Sequence, residues 1–178
     1  LLNMKKFKEN IGSYVLPVII ILALSLTRLI PHPWNFTPIL AASIFSGFYF
    51  KNFFLGLFVV IFSMFLGDLY LGFHSTMFFT YVSLALAVAI GILIKNFKFF
   101  EILVSGLISS ICFFVITNFG AWLTLEMYEK NLSGLINSYV LAIPFFHNTL
   151  ISTILYLLLI KILFNNILNK EKIVKKTV

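Results

Sequence analysis

Apolar runs of about 20 residues recur along this chain, the length that a membrane-spanning helix needs, and short polar or proline-containing segments separate them. Only 11% of the residues are charged, whereas a soluble domain typically carries about 25%. A soluble core of 178 residues could not bury so much apolar surface, so a bilayer is the expected solvent. The sequence therefore predicts an all-α integral membrane protein.

The polar breaks predict six transmembrane helices within one membrane domain, 12–164. The predicted spans are residues 12–29, 38–50, 53–73, 77–94, 102–125 and 144–164. Residues 1–11 and 165–178 are predicted to be cytoplasmic tails, the second of them basic. The second span is short for a full crossing, so we expect it to begin inside the membrane from an inward-dipping loop.

Pro144 leaves two interpretations open. Residues 132–143 are either a separate short apolar helix at the membrane interface, with Pro144 in the first turn of the last span, or part of one long helix kinked at that proline. Ser83, Ala87 and Gly91 are spaced by four in the fourth run. This stripe of small residues predicts a close approach of two helices.

The basic residues predict the orientation. With six spans both termini lie on one side, and that side carries eleven of the thirteen lysines and arginines. Arg28 and Lys130 are the other two. Cytoplasmic loops carry the excess of basic residues, so both termini are predicted to be cytoplasmic.

Residues 31–38 contain three prolines and cannot continue a helix, because the residue before each proline is disfavoured in the α region. This proline loop is predicted to lie at the outer face, where the other polar residues of the spans recur at similar depth. Ionisable residues in a span cost about 2.5 to 3.5 kcal/mol on insertion scales. We therefore predict an outward-facing pocket. Its predicted substrate-binding residues are Arg28, His32, Trp34, Asn35, Asp68, His74, Tyr81, Asn118, Trp122, His147 and Asn148.

Each of these residues also has a purely structural interpretation. Arg28 and Asp68 can form an ion pair that locks two helices, and Trp34, Tyr81 and Trp122 can form an aromatic belt at the headgroups. The remaining polar residues can be solvated, join helices or cap the last one. The alternative to a substrate-binding protein is accordingly a structural or assembly protein that binds another membrane subunit.

Enzymatic signals are weak. The three histidines lack metal-ligand spacing, and neither a nucleophile-elbow motif nor a phosphate-binding glycine loop occurs in the sequence. Cys112 is the single cysteine, which excludes an internal disulfide. We expect no catalytic activity, no cofactor, no resident metal and no nucleic-acid partner.

Four motifs carry a family resemblance. They are PHPWNFTP at Pro31–Pro38, GDLYLGFH at Gly67–His74, TNFGAW at Thr117–Trp122 and AIPFFHNT at Ala142–Thr149. Their order resembles that in a family of small, functionally uncharacterised bacterial membrane proteins. That family more remotely resembles the substrate-binding S-components of energy-coupling-factor (ECF) vitamin transporters.

The ECF resemblance implies six helices, cytoplasmic termini, and a vitamin pocket near the outer face that the loop between the first two helices closes. It also implies a bacterial inner membrane and a partner module consisting of a transmembrane T-component with two ATPases. S-components typically dock on that module through small residues four apart in the first helix. The nearest such spacing here, Ala23 with Thr27, departs from that pattern.

Overall fold

The structure is a computed structural model that describes residues 15, 18–19, 21–23 and 25–177, with side chains described as far as residue 165. Within these residues the secondary structure is entirely helical, without strands. The all-α prediction is therefore confirmed.

The described helices match the predicted order of segments closely. A single 3-10 turn, Thr27–Leu29, precedes the proline loop. The α-helices that follow are α1 (Ile39–Phe50), α2 (Phe53–Leu71), α3 (Met77–Leu93), α4 (Phe99–Thr124), α5 (Leu132–Val140) and α6 (Ile143–Thr177). The described residues between 15 and 26 are also helical, and the rest of the predicted first span lies outside the described residues.

Three of these helices, within the described residues, are long and apolar enough to cross a membrane. They are Phe53–Leu71, Phe99–Thr124 and Ile143–Asn165. Ile39–Phe50 and Met77–Leu93 are apolar but shorter. The fold is thus that of a helical protein with at least three segments suited to a bilayer.

Helix α1 lies at the centre of the molecule. Every residue from Ile39 to Gly47 is buried, and α2, α3, α4 and α6 all pack against the helix. A helix that is apolar on all sides is expected in a core of this kind. Its 12 residues span only about 18 Å at 1.5 Å per residue. This agrees with the prediction that the segment is too short to cross a hydrocarbon layer alone.

Helices α1 and α3 cross with their backbones in contact. A Cβ atom added to Gly47 would collide with the carbonyl oxygen of Val88, and one added to Gly91 would collide with that of Ile44. The two backbones therefore touch at reciprocal glycines. This confirms that the predicted stripe, here represented by Gly91, lets two helices approach closely.

Pro144 lies in the first turn of α6, and α5 is a separate short helix that ends before it. This arrangement matches the first of the two interpretations, because a missing backbone N–H is best tolerated in a first turn. At its other end α6 continues to Thr177, through the segment predicted as a basic tail.

Candidate functional site

Arg28, Asp68 and Tyr81 form the main polar cluster. Arg28 Nη2 donates to Asp68 Oδ1 at 3.1 Å, and Tyr81 Oη donates to Asp68 Oδ2 at 2.7 Å. Arg28 Nη1 lies 2.9 Å from Met64 Sδ. A Cβ atom on Gly67 would lie 3.3 Å from Nη1, so this glycine leaves room for the guanidinium. The cluster thereby joins the 3-10 turn, α2 and α3.

Burial divides the cluster into an inner and an outer part. The Asp68 side chain is 1% exposed, whereas that of Arg28 is 15% exposed. A buried carboxylate is stable only when paired and hydrogen-bonded, and here both of its oxygens have a partner. Arg28 has five N–H donors. Two of its nitrogens contact Asp68 and Met64, so donor capacity remains on the exposed side.

An open cavity of about 480 Å³ lies beside Arg28, and residues of the proline loop form much of its wall. Its wall consists of Arg28, Leu29, Ile30, Pro31, His32, Trp34, Asn35, Thr37 and Leu71. Arg28 is the one charged side chain among these described lining residues. The cavity therefore combines a cationic anchor with an imidazole and an indole, which suits a flat anion.

The proline loop is held to the last helix by a long-range hydrogen bond. Asn148 Nδ2 donates to the backbone carbonyl of Trp34 at 2.9 Å. Phe36 packs edge-on against Tyr156 of α6, with ring centroids 6.3 Å apart. Asn35 adopts a left-handed backbone conformation with φ of 59°, which asparagine tolerates better than most residues. The loop is thus fixed from one side while Trp34 stays 79% exposed.

A second, smaller cavity of about 50 Å³ lies between α4 and α6. Its lining residues are Asn35, Phe113, Phe114, Thr117, Asn118, Ala142, Phe145, Phe146 and Thr149. Asn35 lines both cavities, so it forms part of the wall between them. Asn118 belongs to this second cavity, whereas Arg28 belongs to the first.

The other predicted site residues make local contacts. His32 Nδ1 lies 2.9 Å from the carbonyl of Pro33, His74 Nδ1 lies 2.9 Å from Thr76 Oγ1, and His147 Nδ1 lies 3.0 Å from the carbonyl of Ile143. Trp122 Nε1 donates to the carbonyl of Glu129, in the loop after α4, at 2.9 Å. Of these four, only His32 lines one of the two cavities. The roles predicted for all four in substrate binding stay predictions.

Sequence reasoning missed Met64, which contacts Arg28, and three residues that line the cavities: Leu71, Thr117 and Thr149. Met64 could have been found, because it lies four residues before Asp68 and so shares its helix face. Thr117 and Thr149 stand inside motifs that had already been singled out, but an isolated threonine in an apolar helix carries no distinctive signal.

Among the residues that the structure describes, no three histidine, cysteine, aspartate or glutamate side chains come together as a metal-binding group. The polar chemistry of the site rests on one ion pair, one phenol, the imidazole of His32 and neutral amide and hydroxyl groups.

Fold and site define a small helical protein with bilayer-suited helices and a polar cluster under a proline loop. The chain belongs to a family described as a family of unknown function (DUF6580), which matches residues 8–174. Comparison with curated proteins and with solved structures gave no match.

Proposed function

We propose that this protein is a membrane-embedded binding subunit that captures a small, flat, anionic micronutrient from the outer side. The observation that carries the proposal is the open cavity of about 480 Å³ that the proline loop forms with Arg28. Ligand pockets commonly enclose about 300 to 1,000 Å³ and contain few, well-placed polar groups. The volume and the single cationic anchor both fit that description.

Binding would use the outer part of the polar cluster. The free donors of Arg28 pair with an anionic group such as a carboxylate, and the Trp34 indole covers the flat part of the ligand. Asp68 and Tyr81 hold the guanidinium from behind, so the anchor is oriented before the ligand arrives. A pre-oriented anchor loses less conformational entropy on binding.

The proposal extends to the architecture and the energy source. Six spans with cytoplasmic termini, the arrangement of ECF S-components, would put the cavity on the outer side of a bacterial inner membrane. Uptake would then require a partner T-component with ATPases, in addition to the surrounding lipid. The charge asymmetry between the two ends of the molecule supports this orientation.

The test is mass spectrometry of small molecules that co-purify with the protein after native extraction. Trp34→Ala removes an exposed ring of the cavity, and Tyr70→Ala is its matched control, because Tyr70 is 78% exposed and lies outside the cavity. We expect wild type and Tyr70→Ala to retain the same compound. Trp34→Ala should retain it about tenfold less tightly, a loss of about 1.4 kcal/mol.

A double variant removes the anion anchor without leaving a buried carboxylate unpaired. In Arg28→Met/Asp68→Leu both charged partners become apolar, which proteins often tolerate. We expect this variant to remain folded and to lose the compound entirely. A compound profile identical in wild type and the double variant would refute capture at this cavity.

A structural role is the second candidate, and the internal satisfaction of Asp68 favours it. Both carboxylate oxygens are already bonded to groups of this chain, so the cluster can lock the 3-10 turn to α2 and α3 without a ligand. Under this alternative wild type carries no co-purifying small molecule, and the double variant changes only the stability of the fold.

A further inference from the structure

Helix α2 has an aromatic groove on the side opposite to its buried face. The buried face includes Gly56, Val60 and Gly67. The rings of Phe58 and Phe62, one turn apart on the other side, stack with centroids 5.9 Å apart. The aromatic groove is an open space of about 410 Å³ whose lining is entirely apolar: Phe54, Leu57, Phe58, Ile61, Phe62 and Phe65. In a bilayer, hydrocarbon would fill it.

The length of the aromatic groove matches one leaflet. Phe54 and Phe65, at its two ends, are about 16 Å apart along the helix axis at a rise of 1.5 Å per residue. The hydrocarbon layer is about 30 Å thick, so one leaflet is roughly 15 Å deep. A groove that ends at that depth suits a single acyl chain better than a partner helix, which crosses both leaflets.

One end of the aromatic groove lies next to lysines. Phe54 follows three residues after Lys51. Lys51 Nζ donates to the carbonyl of Ile92 at 2.8 Å and also contacts that of Ile94. The turn 94–98, which follows α3, therefore lies beside the start of α2. The groove thus begins where two lysine-bearing turns of the chain meet.

The turn 94–98 carries two lysines without acidic partners. The carboxylate of Glu101 accepts hydrogen bonds from the backbone N–H groups of Lys95 at 3.2 Å and Lys98 at 2.9 Å, which fixes the turn. Phe97, between them, is buried, whereas both lysines are exposed. Among the described side chains, no carboxylate forms a salt bridge with either lysine. Their positive charges are therefore available to an anion from outside the chain.

We infer that the aromatic groove and the turn 94–98 together bind one anionic phospholipid. Its acyl chain lies along α2 from Phe54 to Phe65, and its headgroup phosphate pairs with the ammonium groups of Lys95 and Lys98. Lysine binds phosphate as a point charge, and lysines at the end of a membrane span attract anionic headgroups. The groove accepts a chain of any phospholipid, so the lysines provide the selectivity for an anionic one.

Native mass spectrometry of the full chain, purified in detergent, measures this binding directly. The protein is titrated with dioleoyl phosphatidylglycerol, which is anionic, and with dioleoyl phosphatidylcholine, which has the same chains and a zwitterionic headgroup. We expect the first lipid to bind about 25-fold more tightly, because each lysine near an anionic headgroup contributes about fivefold.

Single charge changes locate the headgroup. Lys95→Gln and Lys98→Gln should each lower the preference for phosphatidylglycerol about fivefold, and the double variant should abolish it. Lys161→Gln is the matched control, because it also removes one positive charge but lies on α6, outside the groove and the turn. It should keep the full preference.

A second pair of variants locates the acyl chain. Phe58→Ala/Phe62→Ala removes the stacked rings and should weaken the binding of both lipids about tenfold, with their ratio unchanged. Phe78→Ala is its control, because Phe78 is 70% exposed but lies on α3, outside the groove. It should bind both lipids as wild type does.

Three results would overturn the inference. They are equal affinities of wild type for the two lipids, an unchanged preference in Lys95→Gln/Lys98→Gln, and a dimer that disappears in Phe58→Ala/Phe62→Ala. The last would show that a second copy of the chain covers the groove. Arg28→Met/Asp68→Leu should keep the lipid preference, so failure of the proposed capture function would be seen separately.

Discussion

Asp68 is the residue on which the polar cluster depends. It lies in an apolar helix, is 1% exposed, and receives one bond from a guanidinium and one from a phenol. Removing one partner of a buried ion pair leaves an uncompensated charge, whereas replacing both with apolar residues can be nearly neutral. Stability measurements on single and double variants therefore reveal how the cluster is held.

At this scale, Arg28→Met should lower the free energy of unfolding by about 3 to 5 kcal/mol, because Asp68 would remain buried without a counter-charge. Arg28→Met/Asp68→Leu should recover most of that loss. Thermal unfolding in detergent measures both. A double variant no more stable than Arg28→Met would show that the bonds of Asp68 to Arg28 and to the Tyr81 phenol together stabilise the fold.

Tyr81→Phe measures the contribution of the phenol hydroxyl to stability. Loss of its bond to Asp68 Oδ2 leaves one carboxylate oxygen without its present donor, so the expected loss is about 1 to 3 kcal/mol. Tyr70→Phe is the control, since Tyr70 is 78% exposed. Comparable Tm values for both variants would show that the phenol bond contributes little.

At the scale of elements, the crossing of α1 and α3 determines the centre of the fold. Gly47 and Gly91 each face the backbone of the opposite helix, where nothing can yield to a larger side chain. Gly106 differs, because a Cβ atom there would lie 3.3 Å from a side-chain carbon of Ile154, which can shift.

Gly47→Ala and Gly91→Ala should therefore each destabilise the protein by about 1 to 3 kcal/mol or more, the usual effect of overpacking. Gly106→Ala should cost clearly less. Tm values in one detergent provide the comparison. Similar losses at all three glycines would contradict the view that α1 and α3 are joined by a backbone contact.

The whole molecule is electrically asymmetric. Lys51 Nζ, in the turn after α1, donates to the carbonyl of Ile92 at 2.8 Å and also contacts that of Ile94, which ties it to the end of α3. Lys95 and Lys98 follow α3 directly. These lysines collect at one end of the bundle, whereas Arg28 lies at the other end of the spans.

Cysteine labelling tests the orientation that this asymmetry predicts. In a Cys112→Ala background, Trp34→Cys should react with a membrane-impermeant maleimide in intact cells, because position 34 is 79% exposed and its loop is predicted to face outward. Lys98→Cys should react only after the cells are permeabilised. The reverse labelling pattern would show that the predicted orientation is wrong.

Much of the order of helices could be predicted from the sequence, because prolines and charged residues separate the apolar segments. The span predicted over residues 38–50 corresponds to the helix Ile39–Phe50, and the span predicted over 77–94 corresponds to Met77–Leu93. The lengths of the apolar runs, however, could not show that α1 is wrapped by four other helices. Burial on all sides depends on tertiary packing, which hydropathy does not encode.

The candidate site was predictable only in part. The pairing of Arg28 with Asp68 was anticipated as one interpretation, because two opposite charges in apolar surroundings have few other partners. The division of the polar residues between two cavities was not anticipated, since residues at similar depth can face different helices. The rotation of each helix about its axis determines which cavity a side chain lines. A single sequence does not predict that rotation where a helix is apolar on every side.

The shortness of α1 has an electrical consequence. A hydrocarbon layer is about 30 Å thick, whereas α1 rises only about 18 Å from the foot of the proline loop. In the proposed membrane orientation, water that reaches this loop would bring the outer electrolyte to within that distance of the opposite face. A given membrane potential would then fall over little more than half the usual distance, and the local field on any charge held there would rise in proportion.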